Sequence, residues 1–390
     1  MSMSSATATA TATARGAGGI RRIVAVLGLA IVLLAPLSVI FTQFWVARTA
    51  DLTFNEDERR GVEYLGPVTE LLSTVTEQQS GIVHGRGVVT AAVQQAVAGV
   101  DAVDARLGVP LQTTQRWTQL RQQILDLTGR GSMPRDEAFT AYSGVADLAV
   151  ALIRKAGDTS RLILDPSLDA YYVMNATLLR LPEMLVSSGR YADLVKIVSA
   201  AGQLTEPDSL AQLASVRSQI LGSADDLVAG LEKSFESTTS NTLGPALLRQ
   251  LDNFRTAVDA VAPRALPVQA GPALRDPAVV ESDQDTLQRV ALALDSAALG
   301  QLDALLKTRV DTISRDRLYA MAAMLAGVLV SAAVVVWLGP TSRSAPAEPP
   351  PRPTGRHGER PGAESVDARD LVASSGMALS ARRGGARATR

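Results

Sequence analysis

The chain has 390 residues, no cysteine and two histidines, and its 38 basic and 39 acidic side chains leave a net charge of −1. Without cysteine it has no disulfide, zinc–thiolate or iron–sulfur chemistry, and two separated histidines argue against a histidine metal site or a Ser-His-Asp triad. An aromatic content of 4% argues against a surface that stacks nucleic-acid bases. We therefore predict a protein that is not an enzyme and that has no metal, no cofactor and no nucleic-acid partner.

The near-zero net charge is the sum of three unlike segments. Residues 1–46 carry three arginines and no acid, whereas residues 339–390 carry nine arginines and five acids. The residues between them hold the excess of acids. This arrangement indicates basic ends on either side of an acidic middle.

Two uncharged apolar runs separate these three segments. The first covers residues 23–41 and continues to Val46, and the second covers residues 318–338. Each run is long enough to cross a hydrocarbon core of about 30 Å at a rise of about 1.5 Å per residue. A cleaved signal peptide is the alternative for the first run, but the run is too long and Arg48 stands where cleavage requires a small residue. We predict transmembrane helices at residues 21–47 and 318–338.

Arginines lie at the N-terminal end of the first predicted span and after the second. By the positive-inside rule, both termini lie in the cytoplasm and residues 48–317 lie outside a cell membrane that the chain crosses twice. In the second span, Ala323, Gly327 and Ser331 repeat at four-residue spacing. This stripe of small residues either packs against a neighbouring helix or reflects chance spacing in an alanine-rich segment.

The residues between the two spans show helical periodicity. The first stripe predicted to face a core consists of Leu65, Val68, Leu71, Leu72, Val75 and Ile82. Further helices are predicted at 88–107, 111–127, 136–164, 166–189, 206–236 and 243–261. Prolines from Pro263 to Pro277 mark an irregular loop, and a helix of about 60 residues, or about 90 Å, follows without proline into the second span. The predicted fold is all-α, with an elongated helical bundle between two spans.

A few residues in this region are candidates for contact with a ligand. Asp165 precedes Pro166, so it is either a helix N-cap or a ligand contact, and the pattern favours the cap. Tyr171 and Tyr172 either line a pocket or lie in the bundle core with their hydroxyl groups turned outward. Arg180 follows Asp169 by eleven residues on the same predicted helical face, which is typical of an anion site or of a solvated stripe.

Two other charged positions are predicted to be ordinary surface residues. His84 lies among glycines and is expected in an exposed loop. Glu58 lies beside Arg59 and Arg60 and is expected in a solvated collar of charge next to the first span.

Three sequence strings carry a resemblance to a known family. They are residues 58–67, ERRGVEYLGP, residues 162–174, LILDPSLDAYYVM, and residues 179–183, LRLPE. Residues 20–338 resemble the extracytoplasmic helical sensor region of bacterial methyl-accepting chemotaxis proteins and related sensor kinases. The resemblance implies a ligand-responsive bundle, usually a dimer, that passes a helix displacement through the second span.

The chain departs from that family after the second span, where a HAMP linker and a signalling domain are expected. Residues 339–390 contain seven prolines and seven glycines, which predicts a disordered tail, as does the Ala-Thr repeat within residues 1–20. We expect a double-pass sensor whose bundle binds a small ligand or a partner protein and relays the signal to a separate output protein. The alternative is a truncated chemoreceptor-like remnant or a structural membrane scaffold that does not signal.

Overall fold

The computed structural model describes residues 10–131, 133–165, 167–203, 206–237, 243–264 and 276–338, and within these ranges it contains helices and no strand. The prediction of an all-α fold is confirmed for them. The tail 339–390, residues 1–9, the loop 265–275 and Pro166 lie outside the described residues. The helices are α1 (Ala10–His84), α2 (Thr90–Leu107), α3 (Thr114–Gly129), α4 (Arg135–Thr159), α5 (Leu168–Asn175), α6 (Leu181–Ala200), α7 (Pro207–Ser237), α8 (Leu243–Val261) and α9 (Pro277–Leu338).

The helix boundaries agree with the sequence in some places and differ in others. The predictions for α8 and for the 62-residue α9 are confirmed. Helix α1 begins at Ala10, within the segment predicted to be disordered. Helix α4 ends at Thr159 rather than at residue 164, because Arg161 adopts a left-handed conformation with φ of 66° and a short 3₁₀ turn follows.

The hydrophobic core is built around α1, which packs against α2, α4, α6 and α9. The predicted apolar stripe of α1 is buried, since none of its six residues is more than 8% exposed. Helices α7 and α8 extend the core by packing against α6 and α9 respectively. One large apolar cluster therefore joins the helices from α1 to α9.

Helices α1 and α9 remain paired beyond the end of this core. Arg48 lies 3.3 Å from Asp316, and the guanidinium of Arg317 lies 3.9 Å from the centre of the Trp45 ring. Further along, a Cβ atom placed on Gly327 would lie 2.6 Å from Cδ2 of Leu37, so the two backbones approach closely there. The less exposed positions along both helices recur every three or four residues, as in a coiled-coil seam. In α1 they include Ala30, Leu34, Leu37, Phe41 and Phe44, and in α9 they include Ile313, Arg317, Ala320, Met324, Gly327 and Ser331.

Outside this seam, the paired segments expose large apolar side chains. Ile40 and Val32 in α1 are 66% and 68% exposed, and Leu329 and Val336 in α9 are 68% and 79% exposed. Both helices contain a segment long and apolar enough to cross a membrane, judged by length and composition. Exposed apolar surface of this kind is typical of a contact with lipid or with another protein.

Helices α5 and α6 form one continuous rod that contains a wider turn. Residues Ala176–Arg180 are π-helical, and their neighbours on both sides are α-helical. A π turn accommodates one more residue than an α turn, so it offsets the faces of the helix before and after it.

Candidate functional site

A cluster of charged side chains lies near the end of the bundle that adjoins the apolar segments. At its centre is Arg309 of α9, whose Nη1 donates to Oδ1 and Oδ2 of Asp165 at 3.0 and 2.8 Å. Its Nη2 donates to the hydroxyl of Ser167 and lies 3.6 Å from a carboxylate oxygen of Asp169. The Asp165 side chain is 1% exposed, so this is a buried, charge-assisted contact. We call these residues, together with Glu58, the Arg309 cluster.

Glu58 of α1 is the unusual member of the Arg309 cluster. It is fully buried, and neither carboxylate oxygen has a hydrogen-bond partner among the described residues. The pKa of Glu58 is raised from 4.5 to about 8, mainly by burial and next by the negative charge of Asp165, while Arg309 partly opposes the change. Glu58 is therefore mostly protonated at neutral pH, and it is not part of a solvated collar as the sequence predicted.

The Arg309 cluster connects three parts of the chain. Glu58 belongs to α1, Arg309 belongs to α9, and Asp165 and Ser167 belong to the segment that leads into α5. Asp165 also accepts hydrogen bonds at 2.8 Å from the backbone N–H and the hydroxyl of Ser167, which fixes this segment before α5 begins. A displacement of the segment would therefore act directly on α9.

A second polar cluster lies at the opposite end of the bundle, around the last residue of α1. Nδ1 of His84 lies 2.7 Å from Oε2 of Glu281, and Nε2 lies 3.5 Å from Oδ1 of Asp193. Asp193 also accepts hydrogen bonds from Gln79 and Ser80 at 2.7 and 2.6 Å. The His84 side chain is 2% exposed, so the prediction of a surface loop position was wrong. Its contacts connect the end of α1 to α6 and to the start of α9.

The four ligand-binding candidates do not form one site. Asp165 belongs to the Arg309 cluster, and it is not the N-cap of α5, which begins at Leu168. The rings of Tyr171 and Tyr172 meet edge to face at 5.4 Å, and Lys233 lies 5.6 Å from the centre of the Tyr172 ring. Arg180 ends the π-helical turn and pairs with Asp226 and Glu183 at 3.1 and 3.4 Å.

The predicted stripe in α9 lies only partly on the seam with α1. Gly327 faces Leu37, and Ser331 is 9% exposed and donates to the carbonyl of Gly327 at 2.8 Å. Ala323 is exposed. The seam follows spacings of three and four residues, so a strict repeat of four moves away from it after one or two turns.

Sequence reasoning missed Arg309, Glu58 and the environment of His84. A usable signal existed for Glu58, because it falls in the three- and four-residue spacing that continues through Val62 and Leu65, both buried. An acid within an apolar stripe predicts a buried titratable group. In the ranges that the structure describes, no group of three or more His, Cys, Asp or Glu residues is arranged to hold a metal ion.

In comparisons with known proteins, no family model, no curated protein and no solved structure matches the chain.

Proposed function

We propose that this chain is a two-span membrane sensor. In this proposal, residues 48–317 form a bundle outside the cell membrane, and both termini lie in the cytoplasm. The bundle binds a small ligand or a partner protein, and α9 then moves relative to α1. A separate signalling protein reads that movement on the cytoplasmic side, and the sensor works as a homodimer.

The observation that carries this proposal is the continuity of α1 and α9. Each runs without interruption from the bundle core through an apolar segment, over 75 and 62 residues respectively. A continuous helix transmits a shift or rotation along its axis, and shifts of about 1–2 Å between packed helices are common in signalling transitions. The Arg309 cluster supplies a point at which the segment before α5 can act on α9.

The membrane arrangement can be tested by labelling single cysteines, since the chain has none of its own. Gln119 of α3 is exposed, and Ser374 belongs to the C-terminal tail. In intact cells, a maleimide that cannot cross membranes should label Gln119→Cys, and it should label Ser374→Cys only after the cells are permeabilised. Equal labelling of both positions, or the reverse order, would contradict the proposed arrangement.

The relay can be tested by measuring a distance between the apolar segments. Spin labels on Val39→Cys and Leu325→Cys, both exposed apolar positions, report the distance between α1 and α9 in lipid vesicles. Arg309→Met should change this distance by about 1–2 Å. Arg264→Met is the matched control, because it removes an arginine whose carboxylate partners are Asp225 of α7 and Asp259 of α8 and not residues of α9.

The two variants separate a sensor from a scaffold. A sensor predicts that only Arg309→Met changes the distance between the labels. An unchanged distance in a folded Arg309→Met protein would remove the proposed path and favour a scaffold that does not signal.

A further inference from the structure

A groove separate from the Arg309 cluster runs between α1 and α9. Its volume is about 860 Å³, and it is lined by residues from Glu56 to Glu70 of α1 and from Leu292 to Asp303 of α9. Val62, Leu292 and Leu299 contribute apolar surface to it. This volume lies within the range of pockets that hold small organic molecules, about 300–1,000 Å³.

Two glycines contribute to the space in this groove. Gly66 of α1 and Gly300 of α9 both line it, and a Cβ atom placed on either would meet no heavy atom within 4 Å. Any larger side chain at these positions would therefore occupy the groove rather than the protein interior. The helices lose stability by having glycine there, because glycine costs about 1 kcal/mol relative to alanine within a helix.

The charge of the groove is predominantly negative. Five carboxylates and two guanidinium groups line it: Glu56, Glu63, Glu70, Asp295 and Asp303 with Arg59 and Arg60. Both arginines already have carboxylate partners, since Arg59 lies 2.8 Å from Asp303 and Arg60 lies 2.6 Å from Asp57. Glu63 pairs with Arg106 at 2.7 Å, which leaves Glu70 and Asp295 as the acids without an ion pair in the described lining. Because the described lining residues offer an anionic ligand no free cation, the groove favours a positive ligand.

Asp295 gives the groove a specific polar contact. The residue is 4% exposed, and its Oδ1 has no hydrogen-bond partner in the part of the chain that the structure describes. The Thr69 side chain lies within hydrogen-bonding reach of the same carboxyl group. A buried acceptor without a donor is costly, and a ligand N–H group would relieve that cost.

We propose that this groove binds a small aliphatic amine, whose ammonium group donates to the Asp295 carboxylate once that side chain turns toward the groove, and whose carbon chain lies on Val62, Leu292 and Leu299. A second ammonium group can be held by Glu70, which has no ion pair within the described ranges and lines the same groove. The inference names the ligand class of the proposed sensor, and in that sense it rests on the proposed function.

The test uses the full chain in detergent micelles and two probes of equal carbon number and opposite charge. Calorimetric titration at pH 8, where the Asp295 carboxyl with its pKa of about 7 is mostly ionised, should give saturable binding of butane-1,4-diamine, and titration with succinate should give none. Asp295→Asn should weaken diamine binding about tenfold, because it removes a charge-assisted hydrogen bond. If succinate binds as well as the diamine, or if Asp295→Asn binds the diamine like the wild type, the inference is wrong.

A second variant keeps the test valid if Asp295→Asn disturbs the fold. Gly66→Leu fills the groove without removing a charge, and it should abolish diamine binding. Gly222→Leu is the matched control, because Gly222 in α7 also has open space around its Cβ position and is not part of the groove lining. If Gly66→Leu changes the oligomeric mass and the wild type binds no diamine, the groove is a contact between copies of the chain and the inference falls.

The outcomes for the ligand class and for the relay are distinguishable. Diamine binding that both variants weaken, together with an unchanged distance between the labelled apolar segments, would support the groove and refute the relay. Absence of diamine binding, together with a distance that Arg309→Met changes, would refute the amine and support the relay.

Discussion

Asp295→Asn should stabilise the protein against unfolding, and the gain should be larger at pH 8 than at pH 5. Burial raises the pKa of the Asp295 carboxyl from its ordinary 3.8 to about 7. Below pH 3.8 the carboxyl is protonated in both the folded and unfolded states, so it creates no pH-dependent difference. Between pH 3.8 and about 7 only the folded state retains the proton, and the free energy of unfolding falls as the pH rises.

The size of the effect follows from this pKa. Each pH unit in that interval costs about 1.4 kcal/mol, so the rise from pH 5 to about 7 removes about 3 kcal/mol from the wild type. Asparagine does not titrate and has nearly the same shape as aspartate, so the unfolding free energy of the variant does not fall by this amount of about 3 kcal/mol. The advantage of Asp295→Asn over the wild type should therefore grow by about 3 kcal/mol between pH 5 and pH 8. The titration of Glu58 acts on both proteins alike and cancels in the comparison.

Urea unfolding in detergent micelles, followed by far-ultraviolet circular dichroism at both pH values, measures this difference. Asp252→Asn is the control, because Asp252 is 77% exposed and its removal should give no comparable growth between the two pH values. A constant advantage for Asp295→Asn at both pH values, or a loss at pH 8, would show that the carboxyl is not held in a protonated, buried state.

Three further predictions test other contacts. Arg309→Met should lower the free energy of urea unfolding by about 3 kcal/mol, because it leaves a buried carboxylate without its cation, and Arg309→Lys should lower it less. Gly61→Ala should destabilise the bundle by about 2 kcal/mol, because its methyl group would overlap the Ser160 side chain. Gly66→Ala should be neutral or stabilising by up to about 1 kcal/mol, since its methyl group meets open space. Thermal melts of the two variants compare them directly. Gly327→Val should increase the spin-label distance between the apolar segments, and adding Leu37→Ala should restore it, because the new side chain would meet Leu37.

The helices themselves could be predicted because their signals are local. The apolar stripe from Leu65 to Ile82 and the proline-free stretch between Pro277 and Pro340 are both signals that one helix carries alone. The end of α4 was missed because the left-handed conformation of Arg161 depends on contacts around the 3₁₀ turn. Such a conformation is uncommon for a residue other than glycine, and sequence preferences do not indicate it.

The charged sites could not be predicted in the same way, because they depend on pairing between distant parts of the chain. Asp165 and Arg309 are 144 residues apart in sequence, and only the register between the segment before α5 and α9 brings them together. The glycines after His84 predict a loop there, but α1 continues through Gly81 to His84 itself. An acid at a core-facing position was the one accessible sign, and it occurs at Glu58 and again at Asp295.

The π-helical turn at Ala176–Arg180 has a consequence for how this rod tolerates change. One residue in an α-helix corresponds to a rotation of about 100°, and the wider turn takes up one extra residue over nearly the same rotation as an α turn. The α6 contacts beyond it are those of Glu183 with Arg154 of α4 and of Asp193 with Gln79 of α1. Deletion of a single residue within the π turn would therefore convert it to an α turn and keep these contacts, whereas deletion of a residue between Glu183 and Asp193 would rotate the rest of α6 away from its partners.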